Sequence, residues 1–352
     1  MVVILIGIIC ALEGLRSELN FILDKIYTDS MKSSTSMPKL PDIVKKSLTC
    51  KIASTEAWQK GEESVSNGSR IIYHTILKAL KDGNGCLIGR HGTVELSLLL
   101  QAWQDPTLLT LDQCVVLERN AGVFPRTIES ISKWVVEYWN TSESADILAV
   151  AWHKPFAAAE WKFLDDTNPS CQRIPLRSLE PYYSKPIDRW TRALEGQSVC
   201  VVSSFAETME QQVTIASSIW HDDYETLLPN QTWSFVRSYY SPVLAQGRCE
   251  WPSDIHSWTD AVSYLEQEVL KTGARIVLLG CGGLAMPLAY RLKKKGRIAI
   301  VMGGAIQVLF GMKGKRWATH DVISRFWNVA WKYPKLSEIP GAADEIEGGC
   351  YW

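Results

Sequence analysis

The sequence lacks the cysteine spacings that mark a disulfide framework or a metal site. Nine cysteines are scattered over 352 residues without a C-x-x-C pair, and their number is odd. This pattern favours reduced, mostly buried thiols and therefore a cytoplasmic protein. Three N-x-S/T triplets, at Asn67, Asn140 and Asn230, are typical of secreted chains, but such triplets also arise often by chance.

The chain also lacks an excess of charge and a long apolar run. Its formal net charge is −1, which removes the global electrostatic argument for a nucleic-acid partner. The apolar stretch at residues 1–12 is shorter than the roughly 20 residues of a membrane span. It also lacks the positive flank and cleavage site of a signal peptide. We therefore expect residues 1–60 to form a helical extension and linker, and membrane association is the minority interpretation.

What the sequence does contain is a series of apolar strands separated by helical patterns. Short apolar runs at residues 86–89, 146–150, 197–203 and 275–279 alternate with segments of helical periodicity. Strands this apolar predict a parallel sheet with helices on both faces, an α/β Rossmann-like fold. A cluster of prolines between residues 169 and 186 divides the pattern into a first lobe, 61–175, and a second, 176–352.

Two glycine turns follow predicted strands in the second lobe. Gly280, Gly282 and Gly283 lie between an apolar run and a helix, where a Rossmann-like fold places its phosphate loop. Gly303 and Gly304 end the next strand. Glycine lets the backbone approach a diphosphate, and a helix N-terminus adds partial positive charge. Tight turns also use glycine for steric reasons alone, so the pattern is not specific by itself.

The strand before Gly303 lacks the acidic residue that dinucleotide enzymes and methyltransferases usually place at its end. This absence counts against both classes. The residues that follow are an amide, three cations and an indole, namely Gln307, Lys313, Lys315, Arg316 and Trp317. Such cations suit a nucleotide diphosphate, although a solvated loop would have the same composition.

A third turn, at residues 88–95, pairs a cation with a carboxylate. Arg90 and Glu95 flank Gly92 and Thr93 at a strand-to-helix junction. In open α/β folds this edge of the sheet forms the ligand crevice. The structural alternative is that Glu95 complements the helix dipole and that Arg90 is its salt-bridge partner. His91 is more typical of a structural histidine than of a base.

As a set, these motifs resemble the GT-D type glycosyltransferases, which include bacterial and large-virus sugar transferases. The shared motifs occur in one order, at residues 89–95, 120–125, 179–181, 201–205, 303–317 and 347–352. The resemblance runs from about residue 66 to the C-terminus. It implies a Rossmann-like domain that binds a nucleotide sugar, with a UDP-sugar as the first candidate. The implied reaction is hexosyl or pentosyl transfer to a glycan or protein-linked glycan acceptor.

The resemblance also implies a role for the turn at residues 90–95. In the GT-D type this turn reads Arg-aromatic-Gly-Asp-x-Glu and carries a D-x-E metal motif that helps to bind the diphosphate. Arg90, Gly92 and Glu95 match it. His91 occupies the aromatic position and Thr93 the aspartate position, so one metal carboxylate is missing.

Several interpretations of the diphosphate site therefore stay open. Mg²⁺ or Mn²⁺ would bind through Glu95, a water and the diphosphate. Alternatively, Lys313, Lys315 and Arg316 would neutralise the leaving group without metal. Glu95 would then hold the donor or act as the base for the acceptor hydroxyl. The competing functions are a Rossmann-type methyltransferase and a catalytically inactive protein that binds nucleotide sugars or glycans.

Overall fold

A computed structural model describes residues 56–352 and shows a seven-stranded, all-parallel sheet with helices on both faces. The strand order is β3-β2-β1-β7-β6-β4-β5. The strands are β1 (Cys86–Arg90), β2 (Ile147–Ala149), β3 (Gln172–Ile174), β4 (Ser198–Ser203), β5 (Thr232–Arg237), β6 (Ile276–Gly280) and β7 (Ile298–Val301). The predicted α/β Rossmann-like fold is thereby confirmed, whereas residues 1–55 of the predicted N-terminal extension lie outside the described residues.

Two helices precede the first strand, and others connect the strands and follow the last one. They are α1 (Glu56–Lys60), α2 (Glu62–Asp82), α3 (Thr93–Gln104), α4 (Leu111–Ala121), α5 (Ile128–Glu143), α6 (Ala157–Thr167), α7 (Leu176–Leu179), α8 (Ala206–Val213), α9 (Ala216–Trp220), α10 (Tyr224–Leu227), α11 (Pro242–Ala245), α12 (Trp258–Lys271), α13 (Ala285–Lys294), α14 (Ala305–Leu309) and α15 (Lys315–Ala318). Short 3₁₀ turns lie between several of them. None of the helices within residues 56–352 combines the length and apolar character needed to cross a membrane.

The apolar strands follow from a sheet that is buried on both faces. On β6, Val277 and Leu279 face one core, which also contains side chains of α3–α6, α12 and α13. Ile276 and Leu278 face the other core, together with side chains of α2, α8–α10 and α14. Successive residues of a strand point to opposite faces, so a strand covered on both sides must be apolar throughout.

The two predicted lobes form halves of one sheet. The boundary at residue 175 falls between β3 and β4. Strand β1 of the first segment pairs in parallel with β7 of the second, with Cys86 opposite Ile298 and Ile88 opposite Ile300. The carboxyl ends of all seven strands therefore meet at a single edge, to which both segments contribute.

The order of the strands also creates a crevice at that edge. Strands β4 and β6 are neighbours, but the chain runs from β4 outward to β5 and from β6 in the opposite direction to β7. Because the connections after β4 and β6 run to opposite sides of the sheet, a crevice opens between them at the carboxyl edge. Open α/β sheets bind ligands in such a crevice.

Candidate functional site

A cavity of about 650 Å³ lies at the carboxyl edge of the sheet. Most of the predicted site residues line it: Arg90, Gly92, Thr93, Glu95, Gly280, Gly282, Gly303, Gly304, Gln307, Arg316 and Trp317. Gly283, Lys313 and Lys315 do not. Ligand pockets for small molecules usually measure about 300–1,000 Å³, so a nucleotide-sized ligand would fit.

Arg90 is the last residue of β1, and its guanidinium group is held between two neighbours. On one side the Trp152 ring centroid lies 4.9 Å from Cζ. On the other side is Gly303, where an added Cβ would lie 3.0 Å from Arg90 Nη2. Among the described residues no carboxylate comes within ion-pair distance of Arg90, so the salt bridge with Glu95, the structural alternative, is not formed. Arg90 therefore presents a guanidinium group without an ion-pair partner to the cavity, near Glu95 and Glu180.

Arg316 enters the same part of the cavity from α15. A Cβ at Gly304 would lie 2.9 Å from its Nη1, and its Cζ lies 4.2 Å from the Tyr351 ring centroid. The guanidinium group forms an ion pair with Glu347, and its Nε donates to Cys350 Sγ at 3.1 Å. The C-terminal residues thus hold Arg316 in place. Two guanidinium groups, one next to each glycine, flank the turn at residues 303–304.

The other glycine turn, after β6, has a different environment. Gly282 has φ +60°, and a Cβ there would lie 2.7 Å from the carbonyl oxygen of Ala121. At Gly283 it would lie 3.0 Å from Ala121 Cβ, and at Gly280 2.5 Å from Ile306 Cγ2. Protein packing therefore accounts for all three glycines. Gly280 and Gly282 still line the cavity, whereas Gly283 lies behind it against α4.

Two of the three predicted cations point away from the cavity. The Nζ atom of Lys313 lies 5.6 Å from the Trp327 ring centroid. Lys315 has an exposed side chain, with Nζ 4.0 Å from Asp344 Oδ1. Of the three cations expected to surround one ligand, the structure places only Arg316 in the cavity lining.

The turn at residues 90–95 places Glu95 in the first turn of α3. Gly92 is the extended N-cap residue, and Thr93 is the first helical residue. The Glu95 carboxylate folds back over Gly92, where any Cβ would collide with it. Burial raises the pKa of Glu95, while a backbone N–H at the helix start and Arg90 act in the opposite direction. Glu95 therefore lies at the start of α3 and faces the cavity.

His91 lies outside the cavity and is fully buried. Its Nδ1 lies 2.7 Å from Glu160 Oε1, and its Nε2 lies 3.0 Å from Ser142 Oγ. The other oxygen of Glu160 accepts a hydrogen bond from the Ala151 N–H at 2.6 Å. These contacts link the turn after β1 to α5 and α6, so His91 positions the turn and does not contact a ligand in the cavity.

Glu180 is a cavity residue to which sequence reasoning assigned no role. It follows α7, in the segment Leu179-Glu180-Pro181, and lines the cavity near Arg90 and Arg177. Burial raises its pKa to about 7, and the two arginines act in the opposite direction. Residues 179–181 are one of the motifs that resemble the GT-D type, but the sequence assigned no role to the Glu180 carboxylate.

Further polar groups in the lining lack partners of their own. Within residues 56–352, Gln307 Oε1, Trp152 Nε1 and Trp317 Nε1 are buried without a hydrogen-bond partner. The amide nitrogen of Gln307 donates to the Tyr351 carbonyl at 3.0 Å, which fixes the orientation of the side chain. Buried polar atoms are normally paired, so these three atoms are candidates for hydrogen bonds to a polar ligand.

A neutral histidine, His320, also lines the cavity. His320 Nδ1 accepts hydrogen bonds from the backbone N–H groups of Val322 and Ile323, at 3.2 and 3.3 Å. The ring hydrogen must therefore be on Nε2, which lies 3.5 Å from Tyr183 Oη. Burial and the nearby Arg177 lower the pKa of His320, so the ring is neutral and presents a hydrogen-bond donor.

The residues present do not fit a divalent metal ion held by the protein. Within the described part of the chain, no group of three His, Cys, Asp or Glu side chains is arranged to hold a metal. The cavity carboxylates Glu95, Glu180 and Glu347 come from three separate segments, and Thr93 supplies no carboxylate. Mg²⁺ is commonly bound by one or two carboxylates together with waters and substrate phosphates, so a metal ion that binds only with the diphosphate, through Glu95, stays a prediction.

In comparisons with known proteins, no family model, curated protein or solved structure matches this chain. The resemblance to GT-D type glycosyltransferases stays a prediction. Functional assignment therefore depends on the chemistry of the cavity itself.

Proposed function

We propose that this chain is a glycosyltransferase that moves a sugar from a nucleotide-diphosphate donor, a UDP-sugar, to a hydroxyl group of a glycan acceptor. The observation that carries the proposal is the position of Arg90 and Arg316 beside Gly303 and Gly304. A diphosphate would lie against bare backbone between two cations that are already fixed in place. Arginine is suited to this role because its planar guanidinium group binds phosphate oxygens in pairs.

The same arrangement accounts for leaving-group stabilisation. Cleavage of the bond between the anomeric carbon and the diphosphate oxygen leaves negative charge on the diphosphate. Donors that are fixed before the reaction stabilise such charge without reorganising, and removing one typically slows catalysis about 10²–10³-fold. Trp152 and Gly303 hold Arg90, while Glu347 and Tyr351 hold Arg316. In this proposal, Glu95 accepts hydrogen bonds from sugar hydroxyls beside Arg90.

The distribution of carboxylates supports this function over methyl transfer. A methyltransferase using the turn at residues 280–283 would need an acidic residue at the end of β7 for the ribose hydroxyls. The residues after β7 are Met302 and Gly303, and the cavity carboxylates come from other segments. A catalytically inactive protein that binds nucleotide sugars is the second candidate, which Thr93, at the aspartate position of the motif, favours.

We also propose a cytoplasmic location for the protein. Within residues 56–352 the cysteines are free, and Cys86, Cys114, Cys171, Cys200 and Cys281 are buried. Burial raises the pKa of each of these thiols, which keeps them protonated and unreactive. A chain with this many free thiols is typical of a reducing compartment.

A donor screen tests the function. Purified protein is incubated with a panel of nucleotide sugars and glycan acceptors, with Mn²⁺ or with EDTA, and the released nucleoside diphosphate is measured. We expect turnover of one donor class, slowed at least about 100-fold by Arg316→Ala. Glu95→Gln should also slow it. Wild-type rates in both variants, shown to be folded, would contradict the assignment, and donor binding without turnover would favour the inactive protein.

A further inference from the structure

Three carboxylates line the cavity, and they differ in their partners. Glu347 forms an ion pair with Arg316. Glu95 folds back over Gly92 at the start of α3. The Glu180 side chain, by contrast, has no hydrogen-bond or ion-pair partner within residues 56–352. The oxygens of Glu180 are therefore available to a ligand.

The backbone fixes the position of Glu180. Its N–H donates to the Arg177 carbonyl at 3.3 Å, and its own carbonyl accepts from the Tyr183 N–H at 3.0 Å. Pro181 begins the 3₁₀ turn that follows. A carboxylate on such a constrained segment stays at the cavity wall although its side chain has no partner of its own.

The charged and titratable groups around Glu180 adjust its acidity. Arg90 approaches from β1 and Arg177 from α7, while the Tyr182 and Tyr183 hydroxyls lie on the following turn. Burial raises the pKa of Glu180 to about 7, against the two arginines. A proton acceptor works best when its pKa is close to the working pH, so Glu180 can take up a proton near neutrality.

We propose that Glu180 is the general base that accepts the proton of the acceptor hydroxyl. This inference rests on the proposed sugar transfer. The acceptor O–H proton moves to the Glu180 carboxylate while the acceptor oxygen bonds to the anomeric carbon. The bond from that carbon to the diphosphate breaks, and its electron pair leaves with the diphosphate. Such a single displacement inverts the anomeric configuration.

The test is Glu180→Gln in the full chain, assayed with the donor and acceptor from the screen. The matched control is Glu195→Gln, because Glu195 is exposed and outside the cavity. General acid–base catalysis typically contributes about 10²–10⁴-fold, so we expect kcat for transfer to fall at least about 100-fold. The Kd for UDP should stay within about twofold, since Glu180 does not hold the diphosphate. The control should match the wild type.

Two further readouts separate a base from a residue needed only for structure. The wild-type rate should rise with pH through about 7, as Glu180 loses its proton, and this rise should be absent from the residual activity of the Gln variant. The product, analysed by NMR, should have inverted anomeric configuration. If Glu180→Gln does not fold, a wild-type rate that does not rise through about pH 7, or a product with retained configuration, still overturns the proposal.

Undiminished transfer by Glu180→Gln, an unchanged pH profile in that variant, or retained configuration would overturn the role of Glu180. These results leave donor turnover by the wild type intact. Failure of the wild type to bind UDP or to turn over any donor would instead overturn the proposed function, and the role of Glu180 with it. The two failures are therefore distinguishable.

Discussion

The glycine turn after β6 and the glycine turn after β7 lie at the same sheet edge, yet different neighbours require their glycines. At Gly282 an added Cβ would meet the backbone of Ala121, and at Gly280 it would meet Ile306. At Gly303 and Gly304 it would meet the guanidinium groups of two arginines. Packing against Ala121 and Ile306 therefore explains the glycines of the first turn. The glycines of the second turn instead leave room for two guanidinium groups beside the backbone.

This difference changes where a ligand is expected to bind. The glycine pattern at residues 280–283 is typical of a phosphate loop, but tight packing explains it equally well. The combination of bare backbone with fixed cations occurs instead at residues 303–304. Substitutions in the first turn should therefore reduce stability, and substitutions around the second should reduce donor binding and turnover.

The largest effect is expected from Arg90→Ala. Because Arg90 is held against Gly303 and has no ion-pair partner among the described residues, its loss should slow donor turnover about 10²–10³-fold while the protein stays folded. Steady-state kinetics and thermal unfolding measure the two effects. The matched control, Arg325→Ala, removes an exposed arginine outside the cavity and should leave kcat unchanged. Equal rates in the two variants would contradict a role for Arg90.

Gly282→Ala should act on stability. The left-handed backbone disfavours alanine by about 1–2 kcal/mol, and the clash with Ala121 adds about 1–3 kcal/mol. Gly247→Ala is the control, since Gly247 has φ +79° but no atom within 4 Å of the added Cβ. Urea unfolding should show that Gly282→Ala lowers the free energy of unfolding by more than Gly247→Ala. Equal losses would show that packing does not explain this turn.

Gly303→Ala should have a smaller effect, on ligand binding. The new methyl group would lie 3.0 Å from Arg90 Nη2, so the guanidinium group must shift. We expect UDP to bind about tenfold more weakly, a loss of about 1.4 kcal/mol. The loss of stability should resemble that of Gly247→Ala, because both residues have positive φ. Unchanged UDP affinity in calorimetry would contradict the claim that the turn at residues 303–304, and not the turn at residues 280–283, binds the diphosphate.

The smallest effects are expected from Lys313→Ala and Lys315→Ala. Both side chains point away from the cavity, and exposed charges contribute little across screened distances. UDP affinity should change by less than about twofold in either variant, within the roughly 0.5 kcal/mol expected of surface substitutions. A tenfold loss in calorimetry would show that these lysines approach the diphosphate when it binds.

The sequence was sufficient for most of the fold because buried parallel strands are continuously apolar. It did not reveal β3 or β5, which are the two edge strands. Strand β3 has only three residues, and β5 alternates polar and apolar side chains because one of its sides is partly exposed. The pattern of residues 207–220 predicts a single helix, whereas the structure has two, α8 and α9, separated by Thr214 and Ile215.

The candidate site could be predicted only in part. Strand-to-helix turns are visible in the sequence, and Arg90, Glu95 and Arg316 meet because parallel strands end at one edge. The direction of a side chain after a tight turn depends on tertiary contacts, so the sequence could not separate Arg316 from Lys313. Local pattern could not assign a role to Glu180 either, because its burial and the approach of Arg90, which is distant in sequence, arise only in the folded chain.

The central claim is that a nucleoside diphosphate binds beside residues 303–304 through Arg90. Isothermal titration of the wild type and of Arg90→Ala with UDP, and of the wild type with S-adenosylmethionine, tests it most directly. We expect the wild type to bind UDP, Arg90→Ala to bind it at least about tenfold more weakly, and S-adenosylmethionine not to bind. Tight binding of S-adenosylmethionine without UDP binding, or equal UDP affinity in both proteins, would contradict the claim.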